Sequence, residues 1–272
     1  MWLSKLIVGV LIAYFGIVAL AFVMQNRMLF PAQLASSQKH HGEGPGDVLQ
    51  LVTPDGVHLK GVHIAAAKEQ DTEKPIVLGF GGNAWNGEVA ANYLHALYPE
   101  NDVVVFHYRG YAPSSGKPTA TDLLSDSVLV FDFLENRFGS RPVVGVGFSI
   151  GTGVAAHLAA NRQLAGLILV TPFDSLRELA VNHFPWLPVR WLFRHDMEPA
   201  SELSNLSTPV AIIAAENDNI VFPNRTAALR QQVGNIVLDQ TIANADHNDI
   251  YDRAEFREAM AEAMALVSSK GR

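Results

Sequence analysis

Apolar positions fall along this chain in three regimes. The first is a single run: residues 6–24 carry no charge, and as a helix they would extend roughly 28 Å, close to the hydrocarbon thickness of a bilayer. The second alternates at period two. Val48-Leu49-Gln50-Leu51-Val52-Thr53, then Pro54-Asp55-Gly56, then Val57-His58-Leu59-Lys60-Gly61-Val62-His63-Ile64 has the pattern of an antiparallel hairpin around a turn. The third repeats strand, loop and helix. Short β-branched runs predict strands at 76–80, 103–107, 143–148, 167–170, 210–214 and 236–241. The stretches between them predict helices at 88–97, 123–138, 150–160, 224–232 and 249–267, with Thr121 or Asp122 capping the second and Gly139 ending it. Strands that alternate with helices predict a mainly parallel, doubly wound α/β sheet, and no internal repeat is visible.

These regimes divide the chain. Residues 1–30 are expected to form a transmembrane anchor, with Trp2, Lys5 and Arg27 as flanking residues. A cleaved signal peptide is the rival reading, for which Ala19-Leu20-Ala21 offers a weak site; the apolar run passes straight through it, which favours a retained single-pass anchor. Lys5 and the α-amino group before the span outweigh Arg27 and Lys39 after it, so the expected orientation leaves the bulk of the chain outside the cytoplasm. Residues 31–46 read as a linker, polar and glycine-containing from Ser36 to Gly46. Residues 47–272 are the folded domain. Within it, 174–208 interrupts the alternation and carries Phe184, Trp186, Leu187, Trp191, Leu192 and Phe193 among three prolines. An insertion at the carboxyl ends of the strands reads as a small helical lid, and Phe184, Trp186 and Trp191, with Trp85, are candidate substrate-binding residues.

Composition narrows the partners. Of 272 residues, 49% are hydrophobic, enough for one large core, and a monomer is expected. A formal charge of −7 without a Lys/Arg cluster excludes nucleic acid as the expected partner. The absence of cysteine excludes disulfides, thiolate nucleophiles and Cys-ligated metals.

The chemistry concentrates at Gly147-Phe148-Ser149-Ile150-Gly151, between the apolar run Val143-Val144-Gly145-Val146 and an Ala-rich helical stretch. A serine between two glycines at a strand-to-helix junction fits a nucleophile elbow: the turn is too tight for flanking side chains, and the hydroxyl stands above the sheet near helix N–H groups. Its bland rival is a glycine-rich turn whose serine caps the helix. A serine hydroxyl needs an adjacent base oriented by a carboxylate, in the chain order Ser, acid, His, each just past a strand end. Asp218, in the loop after the 210–214 strand, and His247, after the last strand, meet these conditions. Glu216, Asp174 and Asp196 are the rival acids; Asp246 and Asp249 are expected to cap the final helix. Of ten histidines, only His247 combines order and position. Two backbone N–H groups should form an oxyanion hole, one from Ile150 and one from Asn83 in the loop Gly81-Gly82-Asn83-Ala84-Trp85-Asn86, with Gly82 and Ala84 as neighbouring alternatives. Arg109 is expected to be buried and bonded to loop carbonyls.

Several stretches taken in order resemble the membrane-anchored α/β-hydrolases related to the serine aminopeptidase and lysophospholipase group. Gly82-Asn83-Ala84 is similar to that family's oxyanion loop, and Tyr108-Arg109-Gly110-Tyr111 with Ser115-Gly116-Lys117-Pro118 to its strand-exit signature. Gly147 to Gly151 matches its elbow, Thr171-Pro172-Phe173-Asp174-Ser175-Leu176 its lid entry, and Asp218-Asn219-Ile220-Val221 and His247-Asn248 its acid and base loops. Gly81 stands where the family commonly has histidine, and Trp85 where it commonly has a small residue. The resemblance, from about Gln25 onward, implies an α/β-hydrolase fold with Ser149, Asp218 and His247 as triad. The implied activity is hydrolysis of an ester, thioester or lipid substrate through an acyl-enzyme, with no metal and no organic cofactor. Family members also cleave peptides, so an aminopeptidase using Glu178, Asp196, Glu198 or Glu202 is the alternative, and a silent membrane-tethered scaffold another.

Overall fold

A computed structural model of the chain describes residues 2–37, 46–67 and 74–270. Helix α1 (Trp2–Leu29) is followed by a short helix α2 (Ala32–Ser37), and strands β1 (Asp47–Val52) and β2 (His58–Ile64) form the expected hairpin. The alternation then runs β3 (Ile76–Phe80), α3 (Gly87–Leu97), β4 (Val103–Phe106), α4 (Ala120–Phe138), β5 (Val143–Phe148), α5 (Ile150–Asn161) and β6 (Gly166–Val170). The inserted segment supplies α6 (Leu176–His183), α7 (Val189–Leu192) and α8 (Pro199–Leu203). It is followed by β7 (Val210–Ala215), α9 (Pro223–Arg230), β8 (Ile236–Ile242) and α10 (Ala254–Lys270).

The strands form one sheet in the order β1-β2-β4-β3-β5-β6-β7-β8. β2 pairs antiparallel with β1 and β4, and every later pairing is parallel. The five central strands β3 to β7 are buried along their whole length, which is why they read as continuous β-branched runs rather than alternating ones. α4 and α5 cover one face; α3 and α10 cover the other. Register puts Phe80 beside Gly147 and Phe148 beside Val170, so β3, β5 and β6 end at one rim. In a doubly wound sheet ligands bind outside that rim.

Local signals explain most element ends. Leu123, Val130, Phe131 and Leu134 form the buried stripe of α4, and Gly139 ends it at φ 73°. The cap at its start is Thr119, not Thr121 or Asp122: its hydroxyl accepts from Asp122 N while also donating to the Asp122 carboxylate (2.7 Å). The expected helix over 249–267 is divided. Ile250–Asp252 makes one 3₁₀ turn, Arg253 is extended, and α10 starts at Ala254.

The segment read as a linker begins as structure. Phe30 and Ala35 are buried in the core on the α4/α5 face, so residues 30–35 dock on the domain. Residues 38–45 lie outside the described residues. α1 is long and apolar enough to cross a membrane, and its outward residues, among them Leu6, Leu11, Phe15 and Leu20, are exposed. Its carboxyl end is tied to the lid. Gln25 is buried, donates to the Leu192 carbonyl (3.3 Å) and accepts from Arg194 N (3.0 Å), and the Arg194 guanidinium lies over the Phe22 ring.

Arg109 is buried, but its partners are carboxylates rather than loop carbonyls. It makes a two-pronged contact with Asp126 of α4 (2.7 and 2.6 Å) and a third with Asp55 of the hairpin turn (2.9 Å). Three separate segments are thereby joined through one guanidinium. Asp126→Ala leaves that buried charge under-compensated and is expected to cost about 3–5 kcal/mol, read as a lower urea midpoint at unchanged m-value.

Candidate active site

Ser149 is the one residue between β5 and α5, with φ 51° and ψ −119°. A non-glycine residue in such a conformation costs about 1–3 kcal/mol and persists only where its surroundings over-determine it. Here they do. Ser149 N donates to Val170 O (2.9 Å), and its carbonyl accepts from the Thr152 amide (2.9 Å) and hydroxyl (2.6 Å). A methyl on Gly147 would meet the Gly151 carbonyl oxygen at 2.6 Å; one on Gly151 would overlap the Phe80 carbonyl and meet that of Gly81 at 2.7 Å. The flanking glycines therefore answer to the packing of α5 against β3 and β5. The Ser149 side chain makes no capping bond to the helix, so the bland reading of a capping serine does not describe it.

Asp218 and His247 reach the serine from the exits of β7 and β8. His247 Nδ1 lies 2.8 Å from Asp218 Oδ2 and 3.0 Å from Oδ1, and His247 Nε2 lies 2.9 Å from Ser149 Oγ. Asp218 is 5% exposed and His247 6%. An ionised carboxylate only accepts, so Nδ1 carries the imidazole proton and Nε2 is left to accept from the serine hydroxyl. Asp218 Oδ1 also accepts from the amides of Ile220 (2.9 Å) and Val221 (2.7 Å), which fix its orientation. Asp246 and Asp249 do not cap α10. They close the turn that carries His247: Asp246 accepts from the amides of Asn248 and Asp249, and Asp249 accepts from the Asp246 amide (2.8 Å).

The rival acids are engaged elsewhere. Glu216 accepts from Asn244 N (2.7 Å) and so braces the same turn, where Asn244 has φ 56°. Asp174 faces Arg225 and Asp196 faces Arg177. The carboxylates considered for an aminopeptidase are paired too: Glu178 with Arg190, Glu198 with Ser175 and Glu202 with His157.

The loop after β3 sits directly over the elbow. A methyl on Gly82 would lie 3.9 Å from the Ser149 Cβ. Two phenols hold its carbonyls: Tyr108 donates to Gly81 O (2.9 Å) and Tyr111 to Asn83 O (2.7 Å). Burial pushes both phenols above the ordinary tyrosine value, so they remain donors. These two tyrosines shape the loop, yet the sequence showed them only as part of a strand-exit signature. Asn86 caps α3 by accepting from Val89 N, and it reaches back to the Ala35 carbonyl of α2 (3.4 Å).

The candidate substrate-binding residues separate. Trp85 packs into an aromatic cluster with Phe148, Tyr93 and Tyr251, at centroid distances of 5.1, 5.6 and 5.1 Å, and so supports the loop from behind. Desolvation also raises the Tyr251 phenol in that cluster. Phe184 lines an apolar groove of about 280 Å³ between α1 and the lid. Trp186 and Trp191, expected in a pocket wall, are instead 54% and 87% exposed and stand outside that groove. Ser149 is not among the groove's walls; this groove is enclosed by the lid and α1.

Residues 75–195 match a family model described as alpha/beta hydrolase fold. An uncharacterised protein of Mycobacterium tuberculosis is 31% identical over 214 residues, 76% of this chain and 74% of that one. The lysophosphatidylserine lipase ABHD12 of Danio rerio is 30% identical over 177 residues, 57% of this chain but 46% of the lipase, so the match spans less than half of that relative. Among solved structures, an esterase of Pyrococcus furiosus superposes with a TM-score of 0.64 over 84% of this chain and 95% of its own, at 15% identity, a likeness of fold.

Gly151→Ala tests the packing argument. It is expected to destabilise the domain by about 3 kcal/mol, the upper end of overpacking costs, because the obstacle is backbone and has no rotamer to give; urea unfolding reads it.

Proposed function

The chain belongs to the α/β-hydrolase family, and from that premise we propose that it is a membrane-anchored serine esterase that acts on acyl esters, thioesters included. The observation that carries the reading is the unbroken line from carboxylate to imidazole to hydroxyl, 2.8 Å and then 2.9 Å. In this scheme His247 Nε2 takes the hydroxyl proton as Ser149 Oγ attacks the ester carbonyl carbon. Asp218 holds the imidazole tautomer and stabilises the imidazolium. The amides of Ile150 and Asn83 receive the developing oxyanion, and the Tyr111 phenol, bonded to the Asn83 carbonyl, holds the Asn83–Ala84 peptide that follows. Collapse breaks the bond to the alcohol, which leaves with the proton from His247. Water, deprotonated by the same imidazole, then attacks the acyl-enzyme and frees the acid. The scheme needs no metal or organic cofactor.

Two observations support a lipid or long-chain acyl substrate. One is the apolar helix α1, built into the domain beside the lid. The other is similarity to a lysophosphatidylserine lipase. The pairing of Glu178, Glu198 and Glu202 weighs against a peptidase, since each carboxylate already has a partner where a substrate's amino terminus would need one. The charges beside the span favour a domain held outside the cytoplasm.

A fluorophosphonate probe should label the wild-type protein covalently and leave Ser149→Ala unlabelled, with kcat for ester hydrolysis lower by about 10⁴–10⁶. Ester turnover within roughly tenfold of wild type in that variant would remove Ser149 from the nucleophile's role. Asp218→Asn is expected to fold normally and lose about 10⁴ in kcat, because an amide that donates toward Nδ1 selects the wrong tautomer. An unchanged rate would show that the carboxylate does not act through His247.

A further inference from the structure

The groove between α1 and the lid is an apolar feature that the proposed chemistry leaves unused. Val18, Ala21 and Phe22 of α1 form one wall and Phe184, Leu187 and Leu192 of the lid the other. Its remaining boundary includes Ile220 and His183. The His183 ring donates from Nε2 to the Ile220 carbonyl (2.7 Å), and the Ile220 amide donates to the Asp218 carboxylate (2.9 Å). One end of the groove is thus two hydrogen bonds from the acid of the site.

Its other walls lie beside the apolar run of α1. The lid meets α1 at two levels: the Tyr14 hydroxyl donates to the Trp186 carbonyl (3.1 Å), and Gln25 bonds Leu192 and Arg194. These levels are roughly 16 Å apart along a helix, so the lid runs beside the domain-proximal half of the apolar run. If α1 crosses a bilayer, this part of the lid is carried into the adjoining leaflet. The side chains agree with that setting. Trp186 and Trp191 are exposed on the lid; at the boundary between headgroups and acyl chains amphipathic rings are favoured.

We propose that this groove takes the acyl chain of a lipid drawn sideways from the leaflet, so that α1 is one wall of the substrate site as well as an anchor. The inference rests on the esterase reading for its catalytic consequence, but the binding event does not need Ser149. Water excluded from an apolar slot between two apolar elements favours a hydrocarbon occupant, and a chain entering from the leaflet moves from one hydrocarbon environment to another with its ester end toward Ile220 and the acid loop.

Two variants narrow the groove from opposite walls, Ala21→Trp and Leu187→Trp. With full-length protein in phosphatidylcholine vesicles, kcat/KM is measured for a palmitoyl lysophospholipid and for p-nitrophenyl acetate. The ratio of the two is expected to fall by roughly tenfold or more in each variant. A palmitic acid analogue bearing a terminal diazirine gives a readout free of activity. Photolysis in the same vesicles should place adducts on residues 180–193 of the lid in the wild type and equally in Ser149→Ala, and Ala21→Trp should remove them. An unchanged ratio in both variants, or adducts confined to α1 with none on the lid, would overturn the proposal. So would a groove filled by α1 of a second copy, seen as a crosslinked dimer with an unlabelled lid. Failure of the esterase reading has a different signature: ester hydrolysis that survives Ser149→Ala while the lid is still labelled.

Discussion

The close approach of α5 to the end of β3 is the constraint on which the rest of the site depends. Backbone meets backbone there, with Gly151 against the carbonyls of Phe80 and Gly81 and Gly147 against Gly151 and Thr152. That contact forces the turn between β5 and α5 into a conformation serine does not favour, and it seats the loop after β3 over the hydroxyl. Both halves of the candidate site, the Ser149 turn and the loop after β3, are positioned by one steric fact. The strain is held by the sheet. Val170 of β6 accepts from the serine amide, and the buried strands on either side leave no slack for relaxation.

Polar satisfaction extends the same order outward. Asp218 is buried, and its oxygens are satisfied by two amides and an imidazole. The turn bearing His247 is closed by Asp246 and Asp249 and braced by Glu216, so these three carboxylates and Asp218 hold one geometry around the imidazole through different bonds. Tyr108 and Tyr111 do for the loop after β3 what the amides do for Asp218. Helix α1 belongs to this arrangement as well. Phe30 and Ala35 complete the core, Ala35 accepts from the residue that caps α3, and Gln25 joins α1 to the lid. An apolar helix connected in this way sets where the domain sits and what the lid faces.

The alternation of strands and helices, the hairpin, and Ser149, Asp218 and His247 were legible in the chain because each is specified by near neighbours: a buried run, a turn, a short motif at a strand exit. The roles of other residues were not. Thr119 rather than Thr121 caps α4 because the start of a helix depends on which residue can be extended, and one turn of sequence does not decide that. The partners of Arg109 are carboxylates from Asp55 and Asp126, brought together by the folding of three segments. Trp186 and Trp191 read as pocket aromatics, and the same residues face outward once the lid is placed.

By itself, then, the sequence determined which segments are strand, helix or apolar span, and which three side chains stand at strand exits, since hydrophobic period and turn chemistry are properties of neighbouring residues. Tertiary structure alone decided the Tyr111 bond to Asn83, the groove between α1 and the lid, and the docking of residues 30–35. Each of these joins positions many residues apart, and the physical reason is that packing complementarity between distant surfaces exists only after the chain has folded.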